Sequence, residues 1–291
     1  MARRRPPTVH GVAIVDKPPG VTSHDVVGML RRRLDERRIG HAGTLDPGAT
    51  GVLVVGVGMA TRLLRFIADG RKRYRGEVVL GVETDTLDAD GTVVATHQMR
   101  PVSVAEAQRL ATEHLTGEIA QIPPMVSAIQ VGGQRLHELA RRGIDVEREP
   151  RQVTVYSLTL AATADPGVLA IEVECSAGTY VRTLAADLGR LLDGGAHLRN
   201  LRRTAVGPFT IDEARPPDDV ELLPVVEAVR ALPKVVIDEA TAALVANGRV
   251  LGAPDGTGPW AMVDGAGRLL AVYETFGTGE AKPAVVLERG D

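Results

Sequence analysis

Hydrophobic positions fall into two rhythms along this chain, continuous runs of five to eight residues and stripes at helical spacing. The run "GVAIVD" (11–16) predicts a buried strand, "KPPG" a turn, and "SHDVVGMLRRRLDE" a helix capped by Ser23, with Val26, Val27, Met29, Leu30 and Leu34 inward and arginines outward. "GVLVVGVG" predicts a second buried strand and "MATRLLRFIADG" a helix stopped by Gly70. "YRGEVVLGVET" alternates like a half-buried strand and runs into the carboxylate-rich turn "TDTLDADG". From Ser103, "SVAEAQRLATEHLTG" carries a Ser-x-x-Glu capping box and closes on Gly117.

Further on, "QIPPMVSAIQVGGQRLHELARRG" predicts an irregular proline segment, a hairpin at Gly132 and Gly133, and a helix ending at Gly143. "VTVYSLTL" and "VLAIEVECSAG" are strands joined by the turn Asp165-Pro166-Gly167, and "TYVRTLAADLGRLLDGG" is a helix with the stripe Val181, Leu184, Ala185, Leu188 and Leu191. There are too few regular strand–helix crossovers for a doubly wound sheet, so the expected class is mixed α/β, of the α+β kind. Prolines 216, 217, 224 and 233 mark a change of composition, beyond which short strands and glycines predominate. Two domains are therefore expected, 1–232 and a small β-rich one at 233–291 that leans on the first.

Composition narrows the function. The one cysteine, Cys175, forms no internal disulfide, and no Cys/His set offers zinc ligands, which fits a reducing cytoplasm. The basic start is followed by prolines rather than a signal-peptide core, and no apolar run is long enough to span a bilayer, so a cytoplasmic location without membrane association is expected. The net charge of −3 conceals an asymmetry: residues 1–75 carry fifteen Lys/Arg against six Asp/Glu, whereas the remainder carries nineteen against thirty-one. A basic face beside an acidic body can attract a polyanion, because screening makes local charge count for more than the total.

One short stretch concentrates the candidate chemistry. In "RRIGHAGTLDPGATGVLVVGVG" Asp46 is biased towards extended backbone by Pro47, while Gly40, Gly43, Gly48 and Gly51 allow tight turning and close approach of a bulky ligand. Read alone, "DPG" is an ordinary turn. In context, "GHAGTLDPGATGVL" resembles the catalytic loop of the TruB family of tRNA pseudouridine synthases. "VDKPPGVTSHDVV", "KRYRGEVVLGVETDTLDADG", "IPPMVSAIQVGGQRLHELARRGIDVE" and "SAGTYVRTLAADLGRLLDGGAHLRNLRRTAVGPF" resemble its other motifs, in the family's order.

The resemblance implies a pseudouridine synthase fold, a mixed and largely antiparallel sheet with flanking helices, and a C-terminal domain of PUA type. It implies an isomerase that detaches uracil N1 from ribose C1′ in the T-loop uridine of tRNA (position 55), turns the base and rejoins it through C5. Neither metal nor cofactor is required. By motif position Asp46 is the catalytic carboxylate, acting at the sugar either as nucleophile or on the way to a glycal, a role that carboxylates also fill in glycosidases. Arg182 is its partner, expected to hold it ionised against the effect of burial through a bidentate pair. Tyr74 is the active-site tyrosine, and Tyr180 and Leu201 line the uracil pocket.

His41 matches a histidine implicated in flipping the uridine out of its stack, and Asp88 a polar contact in the cleft. Arg37, Arg38, Arg62, Arg65, Arg71, Lys72, Arg73, Arg199, Arg202 and Arg203 flank the motifs as candidate phosphate contacts. The implied partner is the tRNA T-arm, with a monomer and no protein partner expected. Ala42 and Gly48 depart from the family pattern, and the tail is short. A module that captures RNA loops and assists tRNA folding is a compatible reading. Glycoside hydrolysis would need a second carboxylate about 5–10 Å away, for which Asp85, Asp88 and Asp90 are the candidates.

Overall fold

A computed structural model describes residues 6–287 apart from 128, 132, 137, 138, 140, 141 and 145. Its strands are β1 (Gly11–Lys17), β2 (Ile39–His41), β3 (Thr50–Val57), β4 (Lys72–Leu80), β5 (Val82–Thr84), β6 (Val93–Thr96), β7 (Gly117–Gln121), β8 (Gln130–Val131), β9 (Gln134–Arg135), β10 (Arg151–Ala162), β11 (Val168–Cys175), β12 (Ala196–Val206) and β13 (Phe209–Thr210). β14 (Lys234–Val236), β15 (Leu251–Gly252), β16 (Trp260–Val263), β17 (Leu269–Phe276) and β18 (Glu280–Val286) complete the chain.

The main sheet runs β1-β3-β12-β4-β11-β10-β7, with β2 on β3 and β13 on β12. Only the β3–β12 pair in it is parallel, so the sheet is mixed and largely antiparallel as expected. That parallel pair brings the start of β3 against Arg202 and Arg203. Gly51 makes the approach possible: its φ is +102°, and a Cβ there would lie 2.2 Å from the Arg203 carbonyl oxygen. The helices Val104–His114 and Val181–Leu191 cover one face of β4, β11 and β10, and Leu184, Ala185 and Leu188 are buried there.

Several local expectations change in the fold. Thr22, not Ser23, caps the first helix, Ser23–Leu34: its side chain accepts from Asp25 N and the Asp25 carboxylate closes the box. Ser23 is released to hold the loop that carries Asp46 instead. The Ser103 box is half made, because Glu106 turns to Arg100. Residues 59–70 split into a 3-10 turn, Gly58–Arg62, and one helical turn, Leu64–Ala68. The strand expected over 74–84 breaks at Gly81, where φ is +83°, and continues as the hairpin β5–β6. The hairpin around Gly132 and Gly133 is present as β8–β9, although Gly132 itself, and much of the helix expected up to Gly143, lie outside the described residues.

The C-terminal sheet, β14-β16-β17-β18-β15, buries Trp260, Met262 and Tyr273 on one side. Its other side supplies Ala261, Val263, Val272 and Val285 to a cluster shared with Val12, Ile14, Leu63, Phe209 and Val229. The tail thus leans on the large sheet through apolar contact. Among the described residues no helix is long and apolar enough to cross a membrane.

Candidate active site

The loop between β2 and β3 is held by groups from four directions. Ser23 Oγ accepts from Leu45 N at 2.9 Å and donates to Leu45 O at 3.2 Å. Arg203 donates through Nη2 to Gly43 O, through Nη1 to Thr44 O and through Nε to Val52 O. Pro47 O accepts from Gly20 N and from the Lys17 ammonium, which is buried and also donates to Pro18 O and Val21 O. Asp46 O accepts from Ala49 N, closing the turn. A turn pinned at residues 43, 44, 45 and 47 leaves the one between them, Asp46, little freedom of direction.

Asp46 opens into a cavity of about 290 Å³ lined by Tyr74, Lys72, Ser127, Tyr180, Val181, Arg182, Leu201, Arg203 and residues 177–179, a size suited to one small ring. The first turn of the Val181–Leu191 helix carries Arg182, whose Nη2 lies 3.2 Å from each oxygen of the Asp46 carboxylate. The expected fork-to-fork geometry does not form, because Nη1 goes to Asp88 Oδ2 and Thr86 O, both at 3.3 Å, and Nη2 also donates to Val126 O at 2.7 Å. One guanidinium therefore holds two carboxylates.

Burial pushes the Asp46 pKa up; Arg182 opposes the rise, while the charges of Asp88 and Asp90 add to it. The arginine tempers the upward shift without reversing it, contrary to expectation. Asp46 keeps 38% of its side chain exposed, through the cavity mouth. Asp90 lies against Gly48: a Cβ at Gly48 would sit 2.3 Å from Asp90 Oδ2, so the small residue at 48 is the space that this carboxylate fills.

Tyr74 lies on β4, paired with Val173 on one side and Arg203 on the other. Burial pushes its phenol up, keeping it neutral at physiological pH. Leu201 reaches the cavity from an irregularity in β12 next to Asn200, whose φ is +54°. Tyr180 precedes the arginine-bearing helix, and its backbone N–H and carbonyl are both held by the amide of Gln121, at 2.8 and 3.1 Å. His41 lies half-buried on β2, outside the cavity lining, with Nδ1 unpartnered; burial and then the charge of Arg203 push its pKa down.

The candidate phosphate contacts separate by location. Lys72 and Arg203 are buried, with nitrogens on backbone carbonyls, so neither offers a surface charge to a phosphate; that expectation is corrected. Arg73 pairs with Glu174 on the side of the sheet opposite to Tyr74, because successive residues alternate faces. Arg71 shares Glu174, Arg199 holds Glu77 and Asp165, and Arg202 holds Asp16 with bonds of 3.0 and 2.7 Å. Each of these four arginines has a carboxylate partner, shared between Arg71 and Arg73, and none lines the cavity. Arg37 and Arg38 precede β2, beside the Gly58 end of β3 and roughly 20–25 Å from the Asp46 end at strand rise. Arg62 donates to Val286 O, and Arg65 stacks on Phe66 and lies 3.9 Å from Glu274, so both lie against the C-terminal sheet.

Sequence reasoning missed Gln121, Lys17 and Ser23 as site supports. Lys17 left a trace, an ammonium closing an apolar strand; Gln121 left none, since its partner is backbone 59 residues away.

The sequence profile described as "TruB family pseudouridylate synthase (N terminal domain)" matches residues 31–181, and "tRNA pseudouridylate synthase B C-terminal domain" matches 182–231. The chain belongs to the TruB family. It is 46% identical over 286 residues to the tRNA pseudouridine synthase B of Aromatoleum aromaticum, covering 94% of this chain and 92% of that protein. It is 48% identical over 248 residues to the same enzyme of Symbiobacterium thermophilum, covering 82% of each. Among solved structures it is similar to one of a Cbf5-Nop10-Gar1 complex, with TM-score 0.74 and 25% identity over 96% of this chain and 85% of that one. An archaeal box H/ACA Nop10-Cbf5 complex gives TM-score 0.71 at 24% identity, with 97% and 87% covered. The TruB family membership makes this chain a pseudouridine synthase, an isomerase, with that catalytic fold followed by a C-terminal β domain. Both profiles end before the C-terminal sheet, and the segment matched by the second includes β12 of the main sheet.

Proposed function

We propose that this TruB-family isomerase converts the T-loop uridine of tRNA, position 55, to pseudouridine, and that Asp46 is the group that acts at the ribose. The observation that carries the reading is the Asp46–Arg182 contact at a cavity lined by Tyr74, Tyr180 and Leu201. The flipped uracil enters between the aromatic and aliphatic walls, with C1′ facing the carboxylate. Asp46 stabilises or captures the positive charge that develops as N1 departs, the base turns within the pocket, and C5 closes onto C1′. Tyr74 stacks on the base and lies near C5. His41, neutral and with an open nitrogen, fills or holds the gap left by the flipped nucleotide. Recognition rests on loop shape and splayed bases.

Glycoside hydrolysis is disfavoured, since Asp88 stands behind Arg182 and does not line the cavity. The enzyme works as a cytoplasmic monomer, residues 233–291 act as a PUA-like RNA-binding domain, and its hold on an opened loop assists tRNA folding. Asp46→Asn tests the reading: with unmodified tRNA transcript and no added cofactor, pseudouridine at position 55 falls by at least about 10⁴-fold while tRNA affinity stays close to the parent's. Retained isomerisation would remove Asp46 from the chemistry.

A further inference from the structure

Two cations in the cavity wall have no carboxylate. Lys72 is 6% exposed and Arg203 is 1% exposed, and both line the cavity beside Tyr74. Among the described residues no acidic side chain lies within ion-pair distance of either. The Arg203 nitrogens are taken by the carbonyls of Val52, Thr44 and Gly43. Lys72 Nζ donates to Ala68 O at 2.6 Å and Gly70 O at 3.1 Å, which leaves one of its three protons. The chain has thirty arginines and four lysines, yet this cavity position holds the compact three-proton head.

Buried charges are ordinarily paired, because desolvation without a counter-charge is costly. A cavity with two such cations holds a standing positive potential and awaits an anion. Isomerisation produces one. When C1′–N1 breaks, both electrons leave with the base, and the negative charge spreads over N1, O2 and O4. Arg182 is already occupied by Asp46, Asp88 and two carbonyls.

We propose that Lys72 is a further catalytic residue, whose ammonium stabilises the detached uracil anion between departure through N1 and return through C5. This rests on the reading of Asp46 given above. The sugar carbon is held meanwhile by a bond to Asp46, or as the glycal formed by loss of the C2′ proton. C5 then bonds to C1′, the C5 proton leaves, N1 regains a proton, and any C2′ proton is returned. Lys72 keeps its own proton throughout, so its part is electrostatic, and it is fixed before the charge appears.

The test compares two substrates in single turnover: tRNA bearing uridine at the target position, and the same tRNA bearing 5-fluorouridine, whose base leaves more readily as an anion. The measured quantity is loss of the N-glycoside. Lys72→Met is expected to lose about 10²-fold or more on uridine and several-fold less on 5-fluorouridine, with Lys72→Arg recovering part of the loss. A purely structural defect lowers both rates alike, and equal losses would overturn the proposal. Wild-type enzyme supplies a measurement that needs no variant. Burial, and then the charge of Arg203, push Lys72 down to about 8, with Cys175 and Asp69 opposing. As pH rises through that value the uridine rate falls and the 5-fluorouridine rate falls less; parallel profiles would also overturn it. Asp46→Asn run alongside separates the two readings: if it still isomerises, the Asp46 reading fails, whereas an inactive Asp46→Asn with equal Lys72 losses removes Lys72 alone.

Discussion

Arg202 and Arg203 are neighbours in sequence and opposites in the fold. Arg202 faces outward from β12, holds Asp16 at 2.7 and 3.0 Å, and remains partly solvated. Arg203 faces inward, is buried, and spends its donors on carbonyls of the Asp46 loop and β3. One pairs two surface charges, which contributes little; the other ties the backbone on either side of Asp46 to the sheet that carries Tyr74. The sign of a side chain's charge therefore says less about its task here than the face of the strand it leaves from.

The largest effect expected from breaking this contrast is at Arg203. Arg203→Met removes three donors from loop and strand carbonyls, of which the bond to Val52 O is fully buried, so the protein loses roughly 1–3 kcal/mol and activity falls with the loop. Arg202→Met costs at most about 1 kcal/mol, as for an exposed pair, and leaves turnover near the parent's. Denaturant unfolding with single-turnover assays on both variants checks the pair, and equal effects would erase the distinction between the two faces.

Next in size is the pH dependence of stability contributed by Lys72. Its folded pKa, about 8, lies below the ordinary lysine value of 10.5, so the unfolded chain binds the extra proton between those values and stability rises with pH there. Relative to Lys72→Met, the wild type should gain up to about 3 kcal/mol between pH 7 and pH 11, read as the difference of their unfolding free energies at each pH. A flat difference would mean that the ammonium is not held against a desolvation cost.

These contrasts also mark where the sequence was legible. The strands at 11–16 and 51–58, the arginine-bearing helix and the loop around Asp46 could be read because periodicity and local motif are properties of neighbouring residues. The face of each arginine on β4 and β12 could have been anticipated from alternation once the strands were known, but not its partner: Glu174, Glu77 and Asp16 come from other strands. Sequence alone does not separate Ser23 from Thr22 as the cap, because both are good caps, and only the Leu45 backbone, 22 residues on, decides between them. Gln121, whose role exists only through Tyr180, could not be read at all. Gln121→Ala should slow turnover more than it weakens tRNA binding, by about tenfold if misplacement of the Tyr180 backbone is tolerated as poorly as other positional errors in active sites.

A smaller effect separates the exposed arginines by what they hold. Arg37 makes no ion pair among the described residues, whereas Arg73 already has Glu174. If the basic N-terminal region is the electrostatic footprint, tRNA affinity falls steeply with salt, and Arg37→Ala reduces the log–log slope by about one. Arg73→Ala changes it less, because Arg73 is already paired with Glu174, which it shares with Arg71, before RNA arrives. Identical slopes would mean that the Glu174 pair opens on binding.

The smallest effect tests the carboxylates gathered beside Asp46. The Asp46 pKa is raised chiefly by burial, and Asp88 and Asp90 add to the rise by repulsion. Asp88 also positions Arg182, so removing it changes two things at once; Asp90 touches the loop only over Gly48 and makes no bond to Arg182. Asp90→Asn keeps the shape that fills the space above Gly48 and removes the charge. On the proposed reading Asp46 acts at the sugar in its ionised form, so the acid limb of kcat/KM would mark its titration in the free enzyme. Removing a neighbouring negative charge lowers the pKa of a carboxylate, and the acid limb should move to lower pH, by less than one unit for an exposed group screened by solvent, with the rate on the plateau nearly unchanged. A limb that stays in place would assign the elevation of Asp46 to burial and Asp88, and Asp90 would then serve the loop by filling space.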